Sequence, residues 1–96
     1  MACRTANSSP EGAILDWTAT GTTYKLTRSA TKDGGYSAVT LTPATSTSYT
    51  AAHTQGQQLF YRVVAVSSSG VESAPSQAVL IGRNGNSANY TCVVQP

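Results

Sequence analysis

Residues 59–66 read Leu-Phe-Tyr-Arg-Val-Val-Ala-Val, and this stretch decides the fold class. Its β-branched and aromatic side chains occupy both faces of an extended chain, and Arg62 is its single charge. Gly56 comes before it and residues 67–70 follow it, which places a turn at each end. The pattern therefore predicts a central β-strand over residues 58–67.

The rest of the chain repeats this short-period pattern. Apolar and polar side chains alternate with a period of two, and no stretch carries the apolar stripe of a helix. The predicted strands are residues 1–7, 13–17, 23–28, 36–41, 46–51, 58–67 and 77–81. Turn-forming residues separate them at intervals of about ten residues, which is typical of an antiparallel β-sandwich.

Trp17 is the single tryptophan of the chain. It shares a strand face with Ala13 and Leu15, because side chains two apart point to the same side. We expect its indole to lie in the core, although an exposed tryptophan would be able to stack on a sugar ring.

A further segment follows residue 82. Residues 83–87 contain Asn-Gly, the favoured pair for a tight hairpin, and residues 89–94 are apolar enough for an eighth strand that folds back along the seventh. We expect a sandwich over residues 1–82 and a C-terminal hairpin extension over residues 83–96, packed on the same domain.

The two cysteines, Cys3 and Cys92, stand at opposite ends of the sequence. Their spacing suits neither a CxxC redox pair nor a zinc knuckle. Because the eighth strand returns along the seventh, we expect Cys92 within reach of Cys3 and an intrachain disulfide between them. Two free thiols, or pairing with another chain, are the alternatives.

Composition and charge indicate the surroundings of the chain. Charged residues make up only 10% of it, while Ser and Thr are abundant, which is typical of extracellular β-proteins. The net charge is +2 and the cations are scattered, so we expect no nucleic-acid partner. No apolar stretch approaches the roughly 20 residues of a membrane span. We expect an extracellular or cell-surface location, with any signal peptide removed or lying upstream.

Short motifs follow one another in a distinctive order over residues 12–81. They are Leu15-Asp-Trp17, Tyr24-Lys-Leu26, Gly35-Tyr36, Thr47-Ser-Tyr-Thr50, Tyr61-Arg-Val-Val-Ala-Val66 and Glu72-Ser-Ala-Pro-Ser76. In order and spacing they resemble a fibronectin type III domain, closest to the bacterial extracellular kind. The resemblance implies an immunoglobulin-like sandwich that serves as a non-catalytic spacer or interaction module. The family usually places a tyrosine at the turn into the sixth strand; Leu59 stands there, so that corner hydrogen bond is absent or Tyr61 takes another register.

Catalytic and metal-binding patterns are weak. His53 is the single histidine and lies in a predicted loop, without the neighbours that a metal site or a nucleophile needs. The four carboxylates, Glu11, Asp16, Asp33 and Glu72, fall in separate segments with no paired spacing. No serine lies in a GxSxG elbow. We expect no enzymatic activity, no metal and no cofactor.

Four aromatic residues are candidates for a surface binding face: Tyr36, Tyr49, Phe60 and Tyr90. An exposed coplanar pair among them would favour a carbohydrate-binding module with a polysaccharide partner. A third hypothesis is a subunit of an extracellular or phage assembly, in which residues 83–96 pair with a neighbouring protein. Otherwise we expect neighbouring domains of a longer chain, or a protein partner. Asn7 and Asn89 match the glycosylation acceptor pattern.

Overall fold

A computed structural model describes residues 1–6, 12–85 and 89–95 of the chain. Residues 7–11 lie outside these ranges, and with them most of the turn expected after the first strand, the carboxylate Glu11 and the acceptor Asn7. Residues 86–88 and 96 of the predicted extension also lie outside them. The described residues form eight strands: β1 Ala2–Ala6, β2 Gly12–Asp16, β3 Thr23–Ser29, β4 Ser37–Val39, β5 Ser48–Ala51, β6 Gln58–Val66, β7 Val79–Arg83 and β8 Tyr90–Val94.

The strands form two antiparallel sheets that face each other. The smaller sheet has the order β1-β2-β5 and the larger one the order β4-β3-β6-β7-β8. Strand β6 pairs with β3 from Thr23–Val66 to Ser29–Phe60, and its other edge pairs with β7. It is therefore a central strand, which confirms the prediction made from residues 59–66, and the all-β sandwich is confirmed with it. Gly56, with a φ of 80°, forms the left-handed turn that leads into β6.

The core lies between the sheets. Its largest fully buried side chains come from both layers: Leu15, Leu26, Tyr61, Val79 and Ile81. Each follows the two-residue alternation of its strand, so the inward faces form one apolar layer. Burying a Leu, Ile or Val side chain of this kind stabilises the fold by about 1.5–3 kcal/mol.

Trp17 lies at the rim of this core. It follows Asp16, the last residue of β2, and its backbone N–H donates to the Thr47 carbonyl at 3.0 Å. Its indole is half-buried and tilts against the Tyr24 ring at a centroid distance of 6.0 Å. The predicted core position is thus confirmed only in part, because the ring packs against the core without being enclosed by it.

A serine-rich segment continues the ladder beside β6 before β7 begins. Ser76 donates its N–H to the Val63 carbonyl at 2.9 Å, and its hydroxyl oxygen accepts the Val63 N–H at 3.0 Å. Ser73 makes the same pair of bonds with Ala65, at 2.8 and 3.0 Å. Pro75 stands between them and cannot donate. Two serine hydroxyls thus replace backbone carbonyls that a regular strand would have supplied.

Strand β8 returns along β7, as predicted. The pairing runs from Val79–Val94 to Arg83–Tyr90. A disulfide joins Cys3 in β1 to Cys92 in β8, with the two Cα atoms 6.1 Å apart. Since β1 and β8 are edge strands of different sheets, the disulfide closes one side of the sandwich. The division of the domain at residue 82 stays a prediction.

Candidate functional site

His53 lies between β5 and β6 and is only 4% exposed. Its Nδ1 atom is 3.3 Å from the Gln57 carbonyl oxygen, and its Nε2 atom is 2.8 Å from the Tyr61 hydroxyl. A carbonyl oxygen only accepts hydrogen bonds, so Nδ1 carries the proton of the neutral ring and Nε2 accepts from Tyr61. Both ring nitrogens of His53 are therefore engaged by the protein itself.

The backbone of His53 is held by the β7–β8 hairpin. The Tyr90 hydroxyl accepts the His53 N–H at 2.7 Å and donates to the His53 carbonyl at 3.1 Å. The Arg83 guanidinium donates to the same carbonyl at 2.6 Å and lies 5.7 Å from the centre of the Tyr90 ring. We call His53, Tyr61, Arg83 and Tyr90 the His53 corner.

The rings of this corner also pack against one another. His53 and Tyr61 are stacked, with ring centroids 5.9 Å apart and an interplanar angle of 16°. The ring of Tyr90, in β8, is tilted against the His53 ring, and the two ring centroids are 6.0 Å apart. Such aromatic pairs add about 0.5–1.5 kcal/mol beyond the area that they bury.

Burial sets the protonation states of the corner. Desolvation lowers the pKa of His53; the hydrogen bond to Gln57 opposes this shift and the charge of Arg28 reinforces it. Desolvation likewise raises the pKa of Tyr61, while a hydrogen bond and the charge from Arg28 act against it. A neutral histidine thus meets a neutral tyrosine, and the arrangement joins the β5–β6 turn to the β7–β8 hairpin.

No family model, curated protein or solved structure gave a significant match.

The four aromatic candidates for a binding face have different surroundings. The Tyr36 ring is half-buried beneath the Arg62 guanidinium, at 4.8 Å, and its hydroxyl donates to the Lys32 carbonyl at 2.7 Å. Tyr49 is half-buried with its ring 6.4 Å from that of Tyr61.

The other two candidates belong to the same sheet but to opposite faces of it. Phe60 is half-buried and points to the other face of β6 from Tyr61. Its partner in the pairing with β7 is Leu80. The prediction of a surface position for Tyr90 is wrong: it is 5% exposed and its hydroxyl is used in the His53 corner. Tyr49 and Tyr90 thus pack towards the core, whereas Tyr36 and Phe60 lie away from it. A binding role for any of the four stays a prediction.

The carboxylates within the described residues are spread over the surface. Glu72 forms an ion pair with Lys25 at 2.6 Å, and both side chains are about half exposed. Exposed pairs of this kind contribute about 0–1 kcal/mol. In the described parts of the chain, no group of three or more His, Cys, Asp or Glu side chains is placed to hold a metal ion. The same residues include no helix long and apolar enough to cross a membrane.

A cleft opens beside Trp17, at the side of the sandwich where β3 begins. It has a volume of about 200 Å³ and is lined by Met1, Trp17 and Tyr24, with Thr20, Ser73 and Ser76 supplying hydroxyls. The indole N–H of Trp17 is buried without a hydrogen-bond partner among the described residues. A second, more open depression of about 500 Å³ also contacts Trp17 and is lined by Met1, Ala2, Asp16 and Thr18.

Sequence patterns place His53 in a loop but do not bring it to its partners. Residues 89–94 fold back along β7 and pair Tyr90 with Arg83. This pairing follows from the hairpin that the sequence predicts. His53 and Tyr90, however, are 37 residues apart, and no local pattern links them. A single histidine placed shortly before the strand that contains Tyr61 was the only available indication.

Proposed function

We propose that the chain is a non-catalytic, fibronectin type III-like interaction module of a secreted or surface protein, carried as a lateral branch of the longer chain. The strand arrangement supports the family: three strands, β1-β2-β5, face four, β4-β3-β6-β7, in the manner of the seven-strand sandwich that the resemblance implies. Strand β8 is an addition to that plan.

One observation supports a lateral branch over an in-line spacer: the Cα atoms of Cys3 and Cys92 are 6.1 Å apart. Met1 and Gln95, the outermost described residues, are then within about 25 Å of each other, since consecutive Cα atoms are 3.8 Å apart. The longest dimension of the domain is 46 Å. Both ends of the domain lie beside the disulfide. The domain therefore adds little to the length of the longer chain and instead presents its surface at the side of that chain.

The disulfide also supports the location. Disulfides form and persist in oxidising compartments, and this one joins the edge strands of two sheets. Mass spectrometry of the natively produced protein checks it. Two free thiols would contradict both the bridge and the extracellular location.

The geometric part is tested by energy transfer between two fluorescent proteins fused before residue 1 and after residue 96. We expect a distance close to that of a short flexible linker, because the attachment points at residues 1 and 96 stay within about 29 Å of each other. An increase comparable to the 46 Å axis would show an in-line spacer and contradict the proposal. A Cys3→Ser/Cys92→Ser variant serves as the control for the contribution of the bond.

The hypothesis of a carbohydrate-binding module stays a prediction. It needs an exposed coplanar aromatic pair, and Tyr36 is covered on one face by Arg62 while Tyr90 lies in the core. Binding to insoluble cellulose or chitin would decide it.

A further inference from the structure

Strand β8 is the last strand of the larger sheet, so one of its edges faces away from β7. The hydrogen bond from Gln95 N–H to the Ala78 carbonyl, at 2.8 Å, fixes which groups point in which direction. Along an antiparallel strand, every second residue directs its backbone N–H and C=O groups towards the same neighbour. The backbone groups of Val93 therefore point towards β7, as those of Gln95 do. The N–H and C=O groups of Cys92 and Val94 therefore point outward.

This edge lacks the features that usually protect an exposed strand. Strand β8 contains no charged residue and no proline. Its side chains Val93 and Val94 are 55% and 45% exposed and lie on opposite faces of the strand. Natural edge strands are usually short, charged or interrupted by proline.

The other sheet edges differ from β8. Strand β4 has three residues and β5 has four. Strand β1 presents the exposed side chain of Arg4. Strand β8 is thus the edge of this sandwich best suited to pair with another strand.

We propose that β8 is a self-association surface, at which two copies of the chain pair antiparallel around a two-fold axis through Val93. In this register Cys92 lies opposite the partner's Val94, and Val94 opposite the partner's Cys92. Both residues present an outward N–H and an outward C=O, so each pair exchanges two hydrogen bonds and the interface contains four. The two Val93 side chains face each other as a non-hydrogen-bonded pair, whose Cβ atoms are about 5 Å apart.

A second copy suits this edge because the edge is its own complement. A two-fold interface uses the same patch on both subunits, and the donor and acceptor order of Cys92 and Val94 is unchanged by that rotation. Strand β8 carries no charge of its own, and Arg4 follows Cys3 on the neighbouring edge strand β1. Arg83, the nearest described cation along the ladder, is opposite Tyr90, three residues from Val93. The two Arg83 residues are then about 20 Å apart along the new strand pair, beyond the roughly 8–10 Å Debye length at physiological salt.

Analytical ultracentrifugation of the oxidised chain, from about 10 µM to about 1 mM, tests the association. We expect a reversible monomer–dimer equilibrium. Val93→Lys places two like charges face to face on the axis and is expected to raise the dissociation constant at least about tenfold. Val71→Lys is the matched control, since Val71 is 67% exposed and outside β8. A wild-type chain that stays monomeric throughout overturns the proposal, as does equal weakening by Val71→Lys.

A second variant tests the backbone groups themselves. Val94→Pro removes an outward N–H and leaves the bonds between β7 and β8 in place, and proline is tolerated at such edge positions. It removes two of the four proposed hydrogen bonds, so we expect weaker association with an unchanged circular dichroism spectrum. Unchanged association of Val94→Pro contradicts the register.

Hydrogen exchange measured by NMR gives an independent readout. The amides of Cys92 and Val94 should exchange rapidly at low protein concentration and become protected at high concentration. The Val93 amide, which faces β7, should be protected at both. Cys92 and Val94 amides that exchange equally at the two concentrations would exclude pairing at this edge.

Discussion

At the scale of single residues, His53 links β6 to the β7–β8 strand pair at one end of the sandwich. Its ring bonds to Tyr61 in β6, and its backbone bonds to Tyr90 and Arg83 in the β7–β8 hairpin. Protonation of His53 would place a second donor against the Tyr61 hydroxyl and a charge close to Arg28, which lies opposite Tyr61 in β3. Burial of the ring and the nearby charge of Arg28 therefore favour its neutral form.

We predict that the free energy of unfolding falls as the pH is lowered below 6.5, the ordinary pKa of histidine. The pKa of folded His53 is lower than this value, so the unfolded chain takes up a proton first, and stability is lost as pH falls from 6.5 to the folded pKa. The steepest loss that one proton can cause is about 1.4 kcal/mol per pH unit.

Urea denaturation at pH 7, 6 and 5 measures this loss. The chain has one histidine, so few other groups titrate in this window. His53→Gln is the control, and its stability should change less over the same range. Equal slopes for the two proteins would assign the effect to other groups.

At the scale of elements, the segment from Ser73 to Ser76 shows how a sheet continues where a regular strand cannot. Pro75 prevents a continuous ladder, and the hydroxyls of Ser73 and Ser76 accept the N–H groups of Ala65 and Val63 instead. The sequence Glu72-Ser-Ala-Pro-Ser76 predicts an irregular edge, and the structure shows why serine stands on both sides of the proline.

Ser76→Ala is expected to destabilise the domain by about 1–2 kcal/mol, because the partly buried Val63 N–H loses its acceptor. Ser69→Ala, in the exposed turn after β6, should change stability by less than about 0.5 kcal/mol. Urea denaturation compares the two variants, and faster exchange of the Val63 amide locates the effect. Similar losses for both would mean that the serine hydroxyl is not needed as an acceptor.

At the scale of the whole molecule, one covalent bond closes the sandwich. The disulfide spans 89 residues of sequence and joins the two sheets through their edge strands β1 and β8. In the chain-entropy model, a closed loop of this size restricts the unfolded chain strongly and leaves the folded one unaffected.

We predict that Cys3→Ser/Cys92→Ser lowers the free energy of unfolding by about 4 kcal/mol, a large part of the 5–15 kcal/mol of a typical domain. Urea denaturation with and without dithiothreitol measures it. The wild-type chain should lose stability on reduction and the double variant should not respond. A loss below about 1 kcal/mol would show that the unfolded chain is already restricted without the bond.

Local patterns were sufficient to predict the strands but not the contacts between distant side chains. Residues 59–66 predicted β6 because alternation and turn residues act within one segment. The Cys3–Cys92 bond followed from the single long-range step that the sequence makes explicit, the return of β8 along β7. Tyr90 was misplaced because its burial depends on a bond to His53, 37 residues away, and Trp17 lies at the rim because β2 ends one residue before it.

The position of the disulfide also determines how the domain responds to mechanical force. Tension applied to the flanking segments passes from Cys3 to Cys92 through sulfur, so the sheet hydrogen bonds within the closed loop are shielded from it. The pairings of Ala2, Val93 and Gln95 lie outside the loop and carry the load. The 89-residue span, which would extend to about 300 Å if pulled straight, stays folded under load. A parent chain built from such domains would be nearly inextensible while oxidised and would lengthen on reduction.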